Sequence, residues 1–588
     1  MSAEQSQTRV IATHELGRIR SLSSTWVAPL AISAFWMFLI WGVHWNSPRT
    51  LISFHGLLHA GIAEEFLKSS TTFPPENPFF AGQPVAYYWF FHFIAAQLTR
   101  ATGLNVFYSM EFLIVLSAAL LSCTAVFLGR KLYHSTLAGA LIGYLILAGT
   151  NPLGWLHLIY TIVRSGPTVL KDSPDHLWGV VHPIYSLIRY GDIGGIYGPF
   201  LNFFLNITSR PVAIAGLLLA VLCLEWQLRS RRVWASAALA LAFAVTTAFN
   251  PIFGIAVGGV LLFSLIGFYL LNRVLFKPTE LDLRLRTIFS AGLSIFAGIA
   301  ITLPTYYHLL LGHSANHPQI TLFSFDGLRH VLAVVMSIFI LAILAFIGIF
   351  RAKQERRMLL LVLTASACVL FVVDMVVTLP AGNQSNFFHA ATVLMAVPAA
   401  GSISRIHSNR TPSKLHWWFV AGIFLVFLPT TVLLVSSYLN RPAVAVSLDS
   451  TLPQRLPENS QLSQLYKWAR TETDPKAVFI LDPREPEVIC GNTIEFPAMT
   501  NRAVFTERRN HYISDAYPDS KLRYDMTVRL LSGEPPTQSD REYLSQLKRP
   551  IYLVVEKATS RELTGRIQLV YGQPVFQSGA IAVFSMNR

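Results

Sequence analysis

The chain has 588 residues, 53% of them hydrophobic and only 13% charged, with a mean hydropathy of +0.46. Those values exclude an ordinary soluble globule and place the chain among polytopic membrane proteins. The formal charge of +14 follows from where the basic loops lie, so a nucleic-acid partner is not needed to explain it.

In chain order, a polar start without the form of a cleavable signal leads to the first apolar run, 26–45, long enough to cross roughly 30 Å of hydrocarbon as a helix. Ten further segments follow by the same logic: 107–128, 136–150, 210–228, 234–249, 251–271, 288–306, 330–350, 358–379, 387–404 and 415–438. Arg18 and Arg20 precede the first span. Alternate connections then carry Arg130 and Lys131; Arg229, Arg231 and Arg232; Arg273, Lys277, Arg284 and Arg286; Arg351, Lys353, Arg356 and Arg357; and Arg405, Arg410 and Lys414. Basic connections stay cytoplasmic. The alternation therefore predicts a cytoplasmic N-terminus and a tail on the outer face.

The same alternation requires 90–104 to lie at the interface rather than cross. Just before it runs FPPENPFFAGQPVAYYWFFH, 73–92, where prolines at 74, 75, 78 and 84 forbid a continuous helix. Tyr87, Tyr88 and Trp89 suit headgroup level as an aromatic belt, or contact with a lipid or sugar. Two long outer connections, about 46–106 and 151–209, are rich in Pro, His, Tyr, Asn and Gly. Together with the tail they are expected to enclose one polar cavity at the outer leaflet.

The membrane module is assigned to 1–440 and a small α/β domain outside the membrane to 441–588, where 19 Lys and Arg nearly balance 17 Asp and Glu. There, 477–482, 550–555, 567–572 and 580–586 read as strands, and 462–471 and 540–547 as helices. Cys123, Cys223 and Cys368 fall in spans and Cys490 alone in the tail, so no disulfide framework is expected.

Candidate site residues cluster on the outer connections. His55 and His59 have the spacing of two helical metal ligands, but Gly56 stands where a zincin has its glutamate. Ordinary polar contacts are the simpler reading; a divalent metal stays open but is not favoured, and no cofactor is called for. Glu64 and Glu65 read as a solvated face or as acid–base groups, and Glu76 as a turn former or a base. His92, Tyr87 and Tyr88 follow in the aromatic run. Asp192 lies in the second long connection. Arg210 opens the fourth span, where a guanidinium can grip a phosphate or anchor to headgroups. Asp374 is an acid inside a span, a functional suspect by default. Asn383, Gln384 and Asn386 stand at the outer mouth of the tenth. Asn206 opens a glycosylation sequon, set aside in a chain read as bacterial. No P-loop, Rossmann glycine pattern or nucleophile elbow is present, which leaves a nucleotide-sugar donor unsupported.

The order of elements resembles the GT-C superfamily of glycosyltransferases, similar to the aminoarabinose transferases and protein O-mannosyltransferases. The resemblance is carried by PPENPFFAGQPVAYYW in the first loop and by LYKWARTETDPKAVFILDP, FPAMTNRAV, YLSQLKRPIYLVV and AIAVF in the tail. It implies a polytopic α-helical fold of about eleven transmembrane helices with a C-terminal extracytoplasmic α/β domain, in the bacterial cytoplasmic membrane. It also implies transfer of a sugar, with inversion, from a polyprenyl-phosphate carrier to a glycan, lipid or protein acceptor. In such enzymes a carboxylate heading the first loop helix deprotonates the acceptor hydroxyl. Here FHGLLHAGIAEEF places His55 at that position, with His59 one turn on; neutral imidazole can act as a base near pH 7, and Glu64, Glu65 or Glu76 can stand in. Asn386 takes the place of a basic or amide residue that contacts phosphate or sugar. Two alternatives share the scaffold: a saccharide polymerase or ligase, and a non-catalytic protein that binds or moves a lipid-linked saccharide.

Overall fold

The structure is a computed structural model that describes residues 26–46, 54–68, 72–152, 199–230, 232–275, 285–311, 319–320, 325–379, 385–403, 414–439, 460–484, 492–507, 517–556 and 561–586, with isolated positions 159, 163, 166 and 383. Every predicted span is a helix. They are α1 (Trp26–Asn46), then, after the loop helices α2 (Phe54–Glu65) and α3 (Phe90–Thr102), α4 (Val106–Tyr133) and α5 (Thr136–Ala148). The series continues with α6 (Arg210–Ser230), α7 (Val233–Phe249), α8 (Pro251–Leu275), α9 (Leu285–Ile301), α10 (Phe325–Arg351), α11 (Gln354–Val376), α12 (Ser385–Ala400) and α13 (Lys414–Leu439). Among the described residues, 8 of these are long and apolar enough to cross a membrane. Three are shorter: α5 with 13 residues and α7 and α9 with 17 each. By composition and fold the chain is a polytopic membrane protein.

Small residues set how closely the spans approach, as expected where lipid supplies no hydrophobic force between helices. Gly129 on α4 meets Gly139 on α5 so tightly that a Cβ on the first would lie 2.2 Å from the second's backbone nitrogen. α12 is buried on nearly all sides. It thus holds the polar residues of its N-terminal half, Asn386 and His389, inside the bundle.

The tail is a five-stranded sheet, built from β1 (Val478–Ile480), β2 (Ala503–Val504), β3 (Ile551–Glu556), β4 (Phe576–Ser578) and β5 (Ile581–Ser585), in the order β2-β1-β3-β5-β4. β1 runs parallel to β2 and β3; β5 is antiparallel to β3 and β4. Five helices accompany it: α14 (Gln461–Glu472), α15 (Asn492–Thr500), α16 (Ser520–Leu531), α17 (Gln538–Gln546) and α18 (Arg561–Tyr571). The last corrects the strand expected at 567–572. Ile567 and Tyr571, four apart, are buried while Leu569 between them is 88% exposed, so the helical period governs. Gly572 ends the helix at φ 81° and donates its N–H to Gln568 O. The boundary expected at 440 lies outside the described residues.

The Pro-rich loop does not stand free. Val504 of edge strand β2 donates its N–H to Pro78 O at 2.8 Å and accepts from Ala81 N at 3.0 Å, so the loop covers an otherwise open sheet edge. Ala81 belongs to the tail's own core cluster. The Tyr517 hydroxyl donates to Pro84 O and accepts from Asn77 Nδ2 and Ala86 N, both at 3.1 Å. Its ring stacks on Phe80 with centroids 4.7 Å apart. On the other side, Gly61 of α2 lies against Phe79 and Pro497 of α15, where a Cβ would meet Phe79 at 2.8 Å. The aromatic run is also inside: Trp89 is buried, packing with Phe66, Phe73 and Phe93, in place of the headgroup belt considered above.

Candidate functional site

Four loop-borne aromatic rings meet where α2 and α3 pack together. His59 and His92 stack with centroids 4.9 Å apart, and His59 Nδ1 lies 2.7 Å from His92 Nε2. Both are buried, so one nitrogen donates and the other accepts. Tyr87 lies beside His59 and stacks on Tyr88, to whose oxygen its hydroxyl donates at 2.9 Å. His308, just past α9, bonds through Nε2 to Tyr87 O at 3.0 Å. His59 Nδ1 is turned to another imidazole, and the metal pairing considered for His55 and His59 involves a side chain outside the described residues. Among the described residues no group of three or more potential ligands could hold a metal ion. His55 lies in the first turn of α2, one turn before His59; its side chain is outside the described residues, as is Asp192.

Burial holds the His92 imidazole down at about 3, against the opposing pull of the Trp89 carbonyl. In an unfolded chain histidine titrates near 6.5. A depressed value means the stabilising difference is present above 6.5 and is lost as pH falls toward 3. Burial also raises Glu64 and Glu65, which has the opposite sign: folding is favoured as they take up protons. Comparison with His92→Gln removes that common contribution. Chemical unfolding should show the wild type losing on the order of 2 kcal/mol more than His92→Gln between pH 6.5 and 5. Equal losses would show that His92 can be protonated in place.

The three loop carboxylates are turned away from this pair. Glu64 faces Arg470 of α14 at 3.5 Å, and burial outweighs this loose ion pair to raise its pKa. Glu65 pairs with Lys68, which opposes the upward push of burial. Glu76 pairs with Arg549 and accepts from Gly82 N at 2.7 Å. Two of the three thus tie the loop to the tail.

A second polar set lies at the end of the bundle that meets the first loop. Asn386 Oδ1 accepts from Asn250 Nδ2 at 3.0 Å, and its own Nδ2 donates to Asn383 O at 2.9 Å. Asn250 in turn caps α8 through the N–H groups of Ile252 and Phe253. Asn386 is therefore a buried clamp between α12 and the α7–α8 turn. Phe249, beside it, contacts Phe90 of α3 and links this set to the histidine pair. Arg210 lies over the Phe203 ring at 4.7 Å, and Phe203 and Phe200 flank His389 of α12. Asp374 is buried in the last turn of α11 and engaged there.

Sequence reading passed over another pair. His44, near the C-terminal end of α1, bonds through Nε2 to Phe204 O at 2.9 Å and faces Glu111 of α4 at 3.5 Å. Glu111 is an acid within a span, the same signal that singled out Asp374. His308 and His389, both tied to outer-end aromatics, carried no motif.

The comparisons bear on the fold. A family model described as an uncharacterized membrane protein family, DUF2298, matches residues 55–174. No curated protein matches the sequence. Apo ArnT from Cupriavidus metallidurans is similar in structure, with TM-score 0.51 and 12% identity over 96% of this chain and 98% of that one. The same enzyme bound to undecaprenyl phosphate gives TM-score 0.48 at 12% identity over 96% and 98%. The apo oligosaccharyltransferase of Archaeoglobus fulgidus gives 0.47 at 10% identity, over 92% of this chain and 71% of its own. The match to apo ArnT runs through nearly the whole of both chains. This is a membrane protein with the GT-C fold and a small extra-helical sheet domain at its C-terminus.

Proposed function

We propose that the protein is a glycosyltransferase that moves a sugar from a polyprenyl-phosphate carrier to an acceptor hydroxyl at the outer face of a bacterial cytoplasmic membrane. The observation that supports this most is the fold likeness to ArnT along the full chain; ArnT of Cupriavidus metallidurans binds undecaprenyl phosphate. The alternation of basic connections argues for a cytoplasmic N-terminus, with both long loops and the tail on the same outer side.

In this reading His55 takes the proton from the acceptor hydroxyl as that oxygen attacks the anomeric carbon. The C1–O bond to phosphate breaks on the opposite face, giving inversion, and the phosphate leaves on its lipid. The His59–His92 pair, neutral at His92, fixes α2 against α3 and so holds the helix that carries the base. Arg210 is the cation assigned to the phosphate in this reading. The ion pairs of Glu64 and Glu76 with the tail leave His55 the first choice among the loop groups.

Membranes containing the protein should pass radiolabel from at least one of a panel of polyprenyl-phosphate sugars to a lipid, glycan or protein fraction. Membranes without it should not. Hydrolysis or retention of every donor, with no labelled product, would contradict the reading.

A further inference from the structure

The tail holds a cavity that the reaction above does not use. It measures about 830 Å³ and lies between the start of β3, the end of β5 and the ends of α17 and α18. Arg541, Lys548 and Arg549 line it together with the hydroxyl-bearing Ser545, Ser585 and Tyr571, and no acidic side chain is among its lining residues. Arg541 and Lys548 have no carboxylate partner among the described residues, whereas Arg549 is held by Glu76 of the first loop. Asp540, the acid nearest Tyr571 on α17, is occupied by Arg529 and by the Thr537 cap.

One feature is not explained by folding alone. The Tyr571 side chain is only 8% exposed, yet its hydroxyl has no hydrogen-bond partner among the described residues. A buried hydroxyl left unpaired costs about 1–3 kcal/mol, and each such group in a native structure calls for a reason. Lys548 follows the C-cap of α17 and takes φ +52°, the left-handed conformation that commonly ends a helix. That turn is followed by Arg549, and both cations line the cavity.

We propose that this cavity binds a sugar phosphate. The three cations meet the phosphate oxygens through charge-assisted bonds, with the guanidinium forks suited to two oxygens at once. The buried Tyr571 hydroxyl and the serines meet sugar hydroxyls. The volume lies within the range of small-molecule sites, roughly 300–1,000 Å³. Burial, with Asp540 adding, pushes the Tyr571 phenol up to about 12, so it stays a donor at any physiological pH. The site does not depend on the transfer reaction being correct. Because Arg549 also holds Glu76, an occupant acts on the contact between tail and first loop.

The test uses the full-length protein in phosphatidylcholine nanodiscs and amide exchange of residues 541–549 and 570–572. Glucose 1-phosphate should protect these segments, and glucose at the same concentration should not. Arg541→Gln and Tyr571→Phe should each raise the concentration needed about tenfold; Arg541 is surface-exposed and its change is not expected to unfold the domain. Protection in discs containing phosphatidylinositol, without added sugar phosphate, would support the site and assign its source to a lipid headgroup. No protection from either source, or protection by glucose 1-phosphate that survives both substitutions, would overturn the proposal.

Discussion

His55→Ala should abolish sugar transfer while the protein still folds, and His55→Asp should retain part of it. The expectation follows from position. His55 opens α2 one turn before the buried His59–His92 pair, at the place where the resembling enzymes carry their acid. Loss of a general base costs roughly 10²–10⁴-fold in rate. Aspartate restores a proton acceptor on a shorter arm, which is why partial activity is expected and full activity is not. Activity should also fall on acidification, because imidazolium has no lone pair to accept the proton. Thermal unfolding of the variant in detergent serves as the folding control. Wild-type rates in His55→Ala would move the base to Glu64, Glu65, Glu76 or Asp192.

Arg523→Ala should detach the Pro-rich loop from the tail. Arg523 is among the largest fully buried side chains described. Its guanidinium donates to Ala81 O at 2.7 Å, Phe505 O at 2.9 Å, the Tyr543 hydroxyl at 2.9 Å and Asp519 at 3.1 Å, and lies over the Phe80 ring at 3.9 Å. Truncation leaves two buried carbonyls without their donor and Asp519 without its cation, with only the Tyr543 hydroxyl still donating to it, at a cost of about 3–5 kcal/mol. Lysine should not rescue it, since a point charge cannot serve donors on several sides at once. Hydrogen exchange should then show Ala81 and Val504, whose N–H groups pair the loop with β2, losing protection together. Unchanged exchange at both would mean that Arg523 belongs to the tail alone.

What could be read from the sequence was what has a period or a charge rule. Eleven apolar runs were enough for the helices, and the short apolar runs at 477–482, 550–555 and 580–586 for three strands. IQLVYG failed because a short apolar run fits a strand and a buried helical turn equally well; Leu569 facing solvent decides it, and exposure is not a local property. The two-residue β2 was invisible by itself, since half its pairing comes from Pro78 and Ala81, more than 400 residues earlier. The same distance in sequence hid the partners of the loop carboxylates. Glu64 and Glu76 looked like free acids because Arg470 and Arg549 lie in another domain. Asn386 was noticed for its chemistry, but only the fold brings Asn250 to it. His59 and His92 were each singled out, one from a helix and one from an aromatic run, yet nothing local says that they touch.

The central claim is that a polyprenyl phosphate sits at the outer face beside the first loop. A cryo-electron-microscopy structure of the full chain with added undecaprenyl phosphate tests it directly. The account predicts density for the phosphate between the first turn of α2 and the outer ends of α6 and α12, with Arg210 and His55 lining it. Phosphate density at the cytoplasmic ends of the spans, or a bound lipid whose phosphate contacts neither residue, would contradict it.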